Sequence, residues 1–148
     1  MKPQLSTIAG KKILLTGATG GIGRQLALKL AEEGAELSLV CYDTTKLHAL
    51  ADEVVIRGGK AHIIVADFNH AHVAQGVVDA ALVKMQRVDV LINNAGILDF
   101  VLFQQQSAER IAQMVQINLT VPMQLVRALL PAFIASNSGQ IVNIGSIF

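Results

Sequence analysis

The chain has 148 residues, of which 52% are hydrophobic and 16% charged, and its formal net charge is +1. Such a composition excludes a disordered segment, and a near-neutral charge without basic residues interleaved with aromatics excludes nucleic acid as an expected partner. The single cysteine, Cys41, rules out an internal disulfide and a Cys/His metal box, which suits a reducing cytoplasm.

His70 and His72 are the only close histidine pair; two apart on a helix they would diverge, so they read as solvated surface and no metal site is expected. The first twelve residues contain no apolar run long enough for a signal peptide. The most apolar later stretch, Leu119 to Ala135, carries Gln124, Arg127 and two prolines and makes a poor membrane span. One cytoplasmic domain over 1–148, with no membrane partner, is the expectation.

In chain order, the apolar run Ile13, Leu14, Leu15 has the length of a buried strand and is broken off by Gly17, Gly20, Gly21 and Gly23. Beyond Gly23, Leu26 and Leu30 form the stripe of a helix that stops at Gly34. Glu36 to Val40 reads as a second strand, Thr44 to Arg57 as a helix, Ala61 to Ala66 as a third strand, His72 to Met85 as a helix, and Val88 to Ile92 as a fourth strand. Ala108 to Ala135 is helical with an expected interruption near Pro122, and Gln140 to Ile144 makes a fifth strand. Strands alternating with helices at this spacing imply an α/β fold with a doubly wound parallel sheet, Rossmann-like, in three α/β/α layers.

The helix from Ala108 to Ala135 is apolar nearly all round, so one side covers the sheet and the other asks for a second cover, such as another copy of the chain. The sequence stops at Phe148, just after the fifth strand, and on this reading the fold is truncated there.

A strand, a glycine turn and a helix N-terminus in that order make an anion site: free N–H groups and the positive end of the helix dipole converge, and glycine lets a phosphate approach. The spacing Gly17, Gly21, Gly23 is G-x-x-x-G-x-G, and no Gly-Lys-Ser/Thr closes it as in a P-loop. The expected guest is the pyrophosphate of a dinucleotide, although S-adenosylmethionine enzymes use a similar loop. Further polar signals fall at strand ends, where open parallel sheets bind ligands. Cys41-Tyr42-Asp43 follows strand two, where Asp43 can accept from adenosine ribose hydroxyls; Asp67 follows strand three; Asn93-Asn94-Ala95-Gly96 follows strand four.

T-G-A-T-G-G-I-G, V-A-D at Asp67, N-N-A-G at Asn93–Gly96, I-N-L-T around Asn118 and I-V-N-I-G-S ending at Ser146 together resemble the short-chain dehydrogenases/reductases over essentially the whole chain. The resemblance implies strand order 3-2-1-4-5 and an NAD(P)-dependent oxidoreductase that moves a hydride between nicotinamide and a small-molecule carbonyl or secondary alcohol. It implies that Thr16, Gly17, Gly21, Ile22 and Gly23 hold the pyrophosphate, with Thr19 and Gly20 in the same loop. Asp67, beside Phe68, would approach the adenine amino group; Asn93, Ala95 and Gly96 would support the adenosine side and the central sheet, with Asn94 among the cofactor-binding residues. Asn118 would steady a water relay, and Ser146 would hydrogen-bond the substrate oxygen.

The family's catalytic tyrosine belongs to a Y-x-x-x-K helix after the serine strand. The literal Y-x-x-x-K here, Tyr42 and Lys46, lies at the ribose end of the cofactor and is refused on geometry. The chain alone is therefore expected to have little turnover. The alternatives are a non-catalytic dinucleotide-binding or heterodimerising module and a methyltransferase, the last disfavoured by N-N-A-G and Asn118. A 2′-phosphate calls for an arginine near residues 41 to 45 or a basic residue at Gly20, and Asp43 would repel it; despite Arg24 and Lys46 nearby, the balance leans to NAD over NADP.

Overall fold

The structure, a computed structural model, describes residues 8–146. Residues 1–7, part of the stretch expected to lack a signal peptide, and the last two residues lie outside the described residues.

Five parallel strands run β1 (Lys12–Thr16), β2 (Glu36–Cys41), β3 (Lys60–Val65), β4 (Val90–Asn93) and β5 (Gln140–Asn143), in the order β3-β2-β1-β4-β5. The strand order is the expected one. It reverses beside β1, which pairs Leu15 with Leu39 of β2 on one side and with Ile92 of β4 on the other. The strand bounds differ from the sequence reading by one or two residues, because backbone pairing with the neighbouring strand, not apolar content, ends a parallel strand.

Side chains alternate across the sheet and build two cores. Leu14, Val40 and Leu91 point to one face, where they meet Val77, Val78 and Ala81 of α3 (Val73–Met85) and Leu125 and Leu129 of α5 (Val121–Ala135). Ile13, Leu15, Leu37 and Leu39 point to the other, against Ala27 and Leu28 of α1 (Gly21–Glu32) and Leu47, Leu50 and Val54 of α2 (Thr44–Ile56). Both faces are thus covered, which is why β1 and β4 read as continuous apolar runs.

The expected break at Pro122 takes another form. The chain is helical from Ala108 to Ala135 without interruption: α4 (Ala108–Val115) leads into a π-turn, Gln116–Thr120, and then into α5. Pro122 has no N–H to give the carbonyl of Asn118, and widening by one residue absorbs that loss without ending the helix. By length and composition alone these 28 residues could cross a membrane, a criterion that the core helix of a soluble protein also meets, because Pro122 and Pro131 sit within one continuous helix. In this fold the inner face, Val121, Leu125, Leu129 and Phe133, is buried on the sheet and α3. Its outer stripe, Leu119, Met123, Leu130 and Ile134, is exposed.

Candidate functional site

A cavity of about 730 Å³ opens over the carboxyl ends of β1, β2, β3 and β4, at the point where the strand order reverses. Its floor is the turn from β1 into α1. Gly17 has φ +61°, and a Cβ there would lie 2.7 Å from the Ala95 Cα, so glycine is required twice over. A Cβ on Gly23 would meet the Gly17 carbonyl and stand 2.7 Å from Asn94 Nδ2. Gly21 differs: nothing lies within 4 Å of its Cβ position, leaving open space in front of the helix.

α1 starts at Gly21 with Gly20 as its cap residue, and no side chain caps it. The first-turn N–H groups that most helices satisfy with a serine or aspartate are left for an anion. An uncapped helix start, a glycine with vacant space before it and a cavity of dinucleotide scale fit a pyrophosphate.

The N-N-A-G segment holds this loop in place. Asn94 Nδ2 donates to the carbonyls of Thr16 (3.2 Å) and Gly17 (3.1 Å), while the Thr16 hydroxyl accepts from the backbone N–H of Asn94 (3.0 Å) and of Ala95 (3.1 Å). Thr16 and Gly23 are buried beneath the cavity; Thr19, Gly20, Ile22, Asn94, Ala95 and Gly96 line it. Asn93 turns away: it is buried, and its Nδ2 donates to Asn143 Oδ1 (2.8 Å), tying β4 to β5.

Asp43 and Asp67 both line the cavity, each already engaged. Asp43 is the cap of α2: its Oδ1 accepts from the Lys46 N–H (3.0 Å) and its Oδ2 lies 3.3 Å from Lys46 Nζ. The Lys46 amide, and then its side chain, hold the Asp43 carboxyl below the usual carboxylate range. Asp67 Oδ1 accepts from the N–H (2.9 Å) and Nδ2 (2.8 Å) of Asn69, and that amide is the main cause of its lowered pKa. Phe68 is buried beside it.

Asn118 sits in the π-turn. Its Oδ1 accepts from the Ile97 N–H and its Nδ2 donates to the Ile97 carbonyl, both at 2.9 Å, so the side chain pairs like a strand with the segment after β4. Both polar atoms of the side chain are thus satisfied. Asn118 lines a second hollow of about 460 Å³ with Ile144 and Gly145; Ser146 follows directly and is exposed. The two candidate catalytic residues therefore belong to neighbouring parts of the structure, beside the second hollow, not the first.

Several lining residues escaped the sequence reading. Arg110 borders the first cavity and grips Asp99 through Nη2–Oδ1 (2.6 Å) and Nε–Oδ2 (2.7 Å), with Gln106 Nε2 3.0 Å from the same carboxylate. Arg110 lowers the Asp99 pKa to about 2. An eleven-residue separation across a loop leaves no periodic signal. Tyr42, 71% exposed, and Cys41, whose Sγ is 2.9 Å from Thr19 Oγ1, also line it, and only their place after β2 hinted at this.

A doubly wound parallel sheet with an uncapped glycine turn at its switch point defines a Rossmann-like nucleotide-binding domain. The chain belongs to the short-chain dehydrogenase family, whose family model matches residues 11–148. It is 37% identical over 143 residues to the ketoacyl reductase HetN of Nostoc sp., covering 97% of this chain and 50% of that protein. It is 32% identical over 143 residues to the oxidoreductase UcpA of Escherichia coli, with 97% and 54% covered. The chain thus spans about half the length of these curated relatives. Among solved structures, a metagenomic short-chain oxidoreductase in complex with NADP matches with a TM-score of 0.89 and 34% identity, over 97% of this chain and 65% of that one. An NAD+-bound xylitol dehydrogenase matches with a TM-score of 0.88 and 33% identity, over 95% and 54%.

Proposed function

We propose that these residues form the cofactor-binding part of an NAD(P)-dependent oxidoreductase acting on a carbonyl or secondary alcohol. The observation that carries this is the joint between the two motifs: the Asn94 side chain spans to Thr16 and Gly17 and holds an uncapped helix start open to the cavity. The Gly21, Ile22 and Gly23 amides would receive the pyrophosphate, and Asp67 and Phe68 would meet the adenine. The nicotinamide, when bound, supplies or accepts the hydride. Asn118 would position the segment beside the reacting end through Ile97, and Ser146 would hydrogen-bond the substrate oxygen.

Proton exchange needs a group these 148 residues do not offer. Tyr42 is their only tyrosine and lies at the end of β2, beside Asp43. On this ground the chain by itself binds cofactor with little turnover, and the same observation supports the second reading, a non-catalytic dinucleotide-binding module. The exposed stripe on α4–α5 supports self-association through that helix.

Calorimetry with NADH and NADPH tests the binding claim, with Gly21→Asp as the control. Because nothing lies within 4 Å of a Cβ there, the aspartate leaves the fold intact and sets a negative charge against the phosphates. Saturable binding that the variant abolishes supports the reading; a folded sample that binds neither nucleotide refutes it.

A further inference from the structure

Among the described residues, the two most exposed aromatic side chains belong to one segment: Phe100 is 94% exposed and Phe103 83%. Leu98, Val101 and Leu102 beside them are each more than half exposed, so five large apolar side chains within six positions face solvent. Scattered exposed apolar residues are ordinary, but a contiguous cluster marks a contact surface. The segment is also short of charge. Between Asp89 and Glu109 the sequence has one charged residue, Asp99, and both its oxygens are taken by Arg110. Gln104, Gln105 and Gln106 follow as a polar, uncharged collar.

Hydrogen bonds hold this tip in one shape. The Gln105 N–H donates to the Leu102 carbonyl (2.8 Å) and the Gln106 N–H to that of Phe103 (3.0 Å), closing a 3₁₀ turn over Phe103–Gln105. Ser107 caps α4 through the Arg110 N–H (3.1 Å), and the Arg110 side chain grips Asp99. A loop already held loses less conformational freedom on binding. Side chains this exposed project as knobs and form no groove for an incoming peptide, so the segment is itself the part that inserts. A lipid interface takes such knobs without a complementary pocket: aliphatic and aromatic groups enter it, and uncharged polar neighbours stay at headgroup level.

We infer that residues 98–103 form a peripheral membrane-docking tip, which places Phe100 and Phe103 among the acyl chains of a lipid surface and the three glutamines at its headgroups. Five apolar residues are far too few to span a bilayer, so a search for spans passes over such a tip. The segment leaves the cavity at Ile97 and rejoins it at Arg110, both lining residues, so docking sets the cavity mouth beside the lipid.

Vesicle binding of the purified chain tests this without cofactor or turnover, and so independently of the dinucleotide reading. Flotation with phosphatidylcholine vesicles should recover the chain in the lipid fraction at low and high salt alike. Adding about one-third phosphatidylserine should change the partition by no more than about twofold, because the contact is apolar. Phe100→Ser with Phe103→Ser should lower the partition about ten- to a hundredfold. Both side chains are exposed, so the urea midpoint should stay at that of the parent. The chain has no tryptophan, so Phe100→Trp reports the position of the tip directly. Its emission should shift to the blue with vesicles and be quenched by brominated lipid. A parent left in the lipid-free fraction, or an emission that stays that of a side chain in water, would overturn the inference. So would a partition that survives the serine pair but falls with Met123→Lys and Ile134→Lys, which moves the contact to α5. A parent that elutes as a dimer and becomes monomeric with the serine pair would assign the tip to a second copy of the chain and overturn it too.

Discussion

Replacing Asn94 by alanine tests whether the N-terminal glycine loop is held by the segment after β4 or is rigid by itself. The substitution deletes two hydrogen bonds, to the Thr16 and Gly17 carbonyls, and leaves the backbone contacts to the Thr16 hydroxyl in place. A hydrogen bond of this kind contributes roughly 0.5–1.5 kcal/mol net, and Asn94 is only half-buried, which lets water replace part of the loss; the expected destabilisation is about 1–2 kcal/mol. With a urea dependence of about 2 kcal/mol per molar, the unfolding midpoint should fall by about 0.5–1 M. If the freed loop must be reordered on binding, the NADH dissociation constant rises by up to about 5–30-fold. Urea unfolding followed by circular dichroism gives the first number and calorimetry the second. Asn94→Asp should be worse than alanine, because a carboxylate would face two carbonyl oxygens. A midpoint unchanged for alanine, together with unchanged NADH affinity, would refute the claim that Asn94 anchors the loop.

Three further outcomes follow from the geometry. Asn118→Ala removes both bonds to Ile97 and should cost about 1–2 kcal/mol, while Asn118→Asp keeps the acceptor and sets its second oxygen against the Ile97 carbonyl; urea midpoints should place both variants below the parent, and equality with the parent would remove the role assigned to the π-turn. Asp99 has a folded pKa lowered to about 2, so the Asp99–Arg110 latch contributes stability that is complete above the unfolded carboxyl pKa of about 3.9 and is lost as pH falls toward 2; carboxyl titration by NMR should find this group still ionised at about pH 3, and a midpoint near 4 would contradict the latch. A double variant of the outer stripe, Met123→Lys with Ile134→Lys, changes two exposed side chains and should shift size-exclusion elution of a self-associated parent to that of a monomer; a parent already monomeric at high concentration would count against association through this helix.

Periodicity alone separated helices from strands here, because a parallel sheet covered on both faces needs apolar strands and amphipathic covers, and glycines punctuate the joints between them. The glycine loop was legible for the same reason: Gly17 and Gly23 stand where any Cβ would collide with backbone. Strand limits were less legible, since Lys60 and Asn93 join the sheet through backbone pairing that no side-chain pattern encodes. Pro122 read as a break because a proline removes one hydrogen bond, but local sequence does not say whether a helix ends or widens; packing of Val121, Leu125 and Leu129 against the sheet supplies the reason to continue.

Sequence by itself determined the class of fold, the glycine turn at the start of α1 and the family, because each depends on residue types at short, fixed separations. Tertiary structure alone decided what the individual polar groups do. The fold pairs the oxygens of Asp43 with Lys46, sets Asn118 against the backbone of Ile97, and folds Asp99 back onto Arg110, which the sequence reading did not single out. A side chain's charge and donors are written in the chain, but which of them remain available for a ligand depends on partners brought close only by folding.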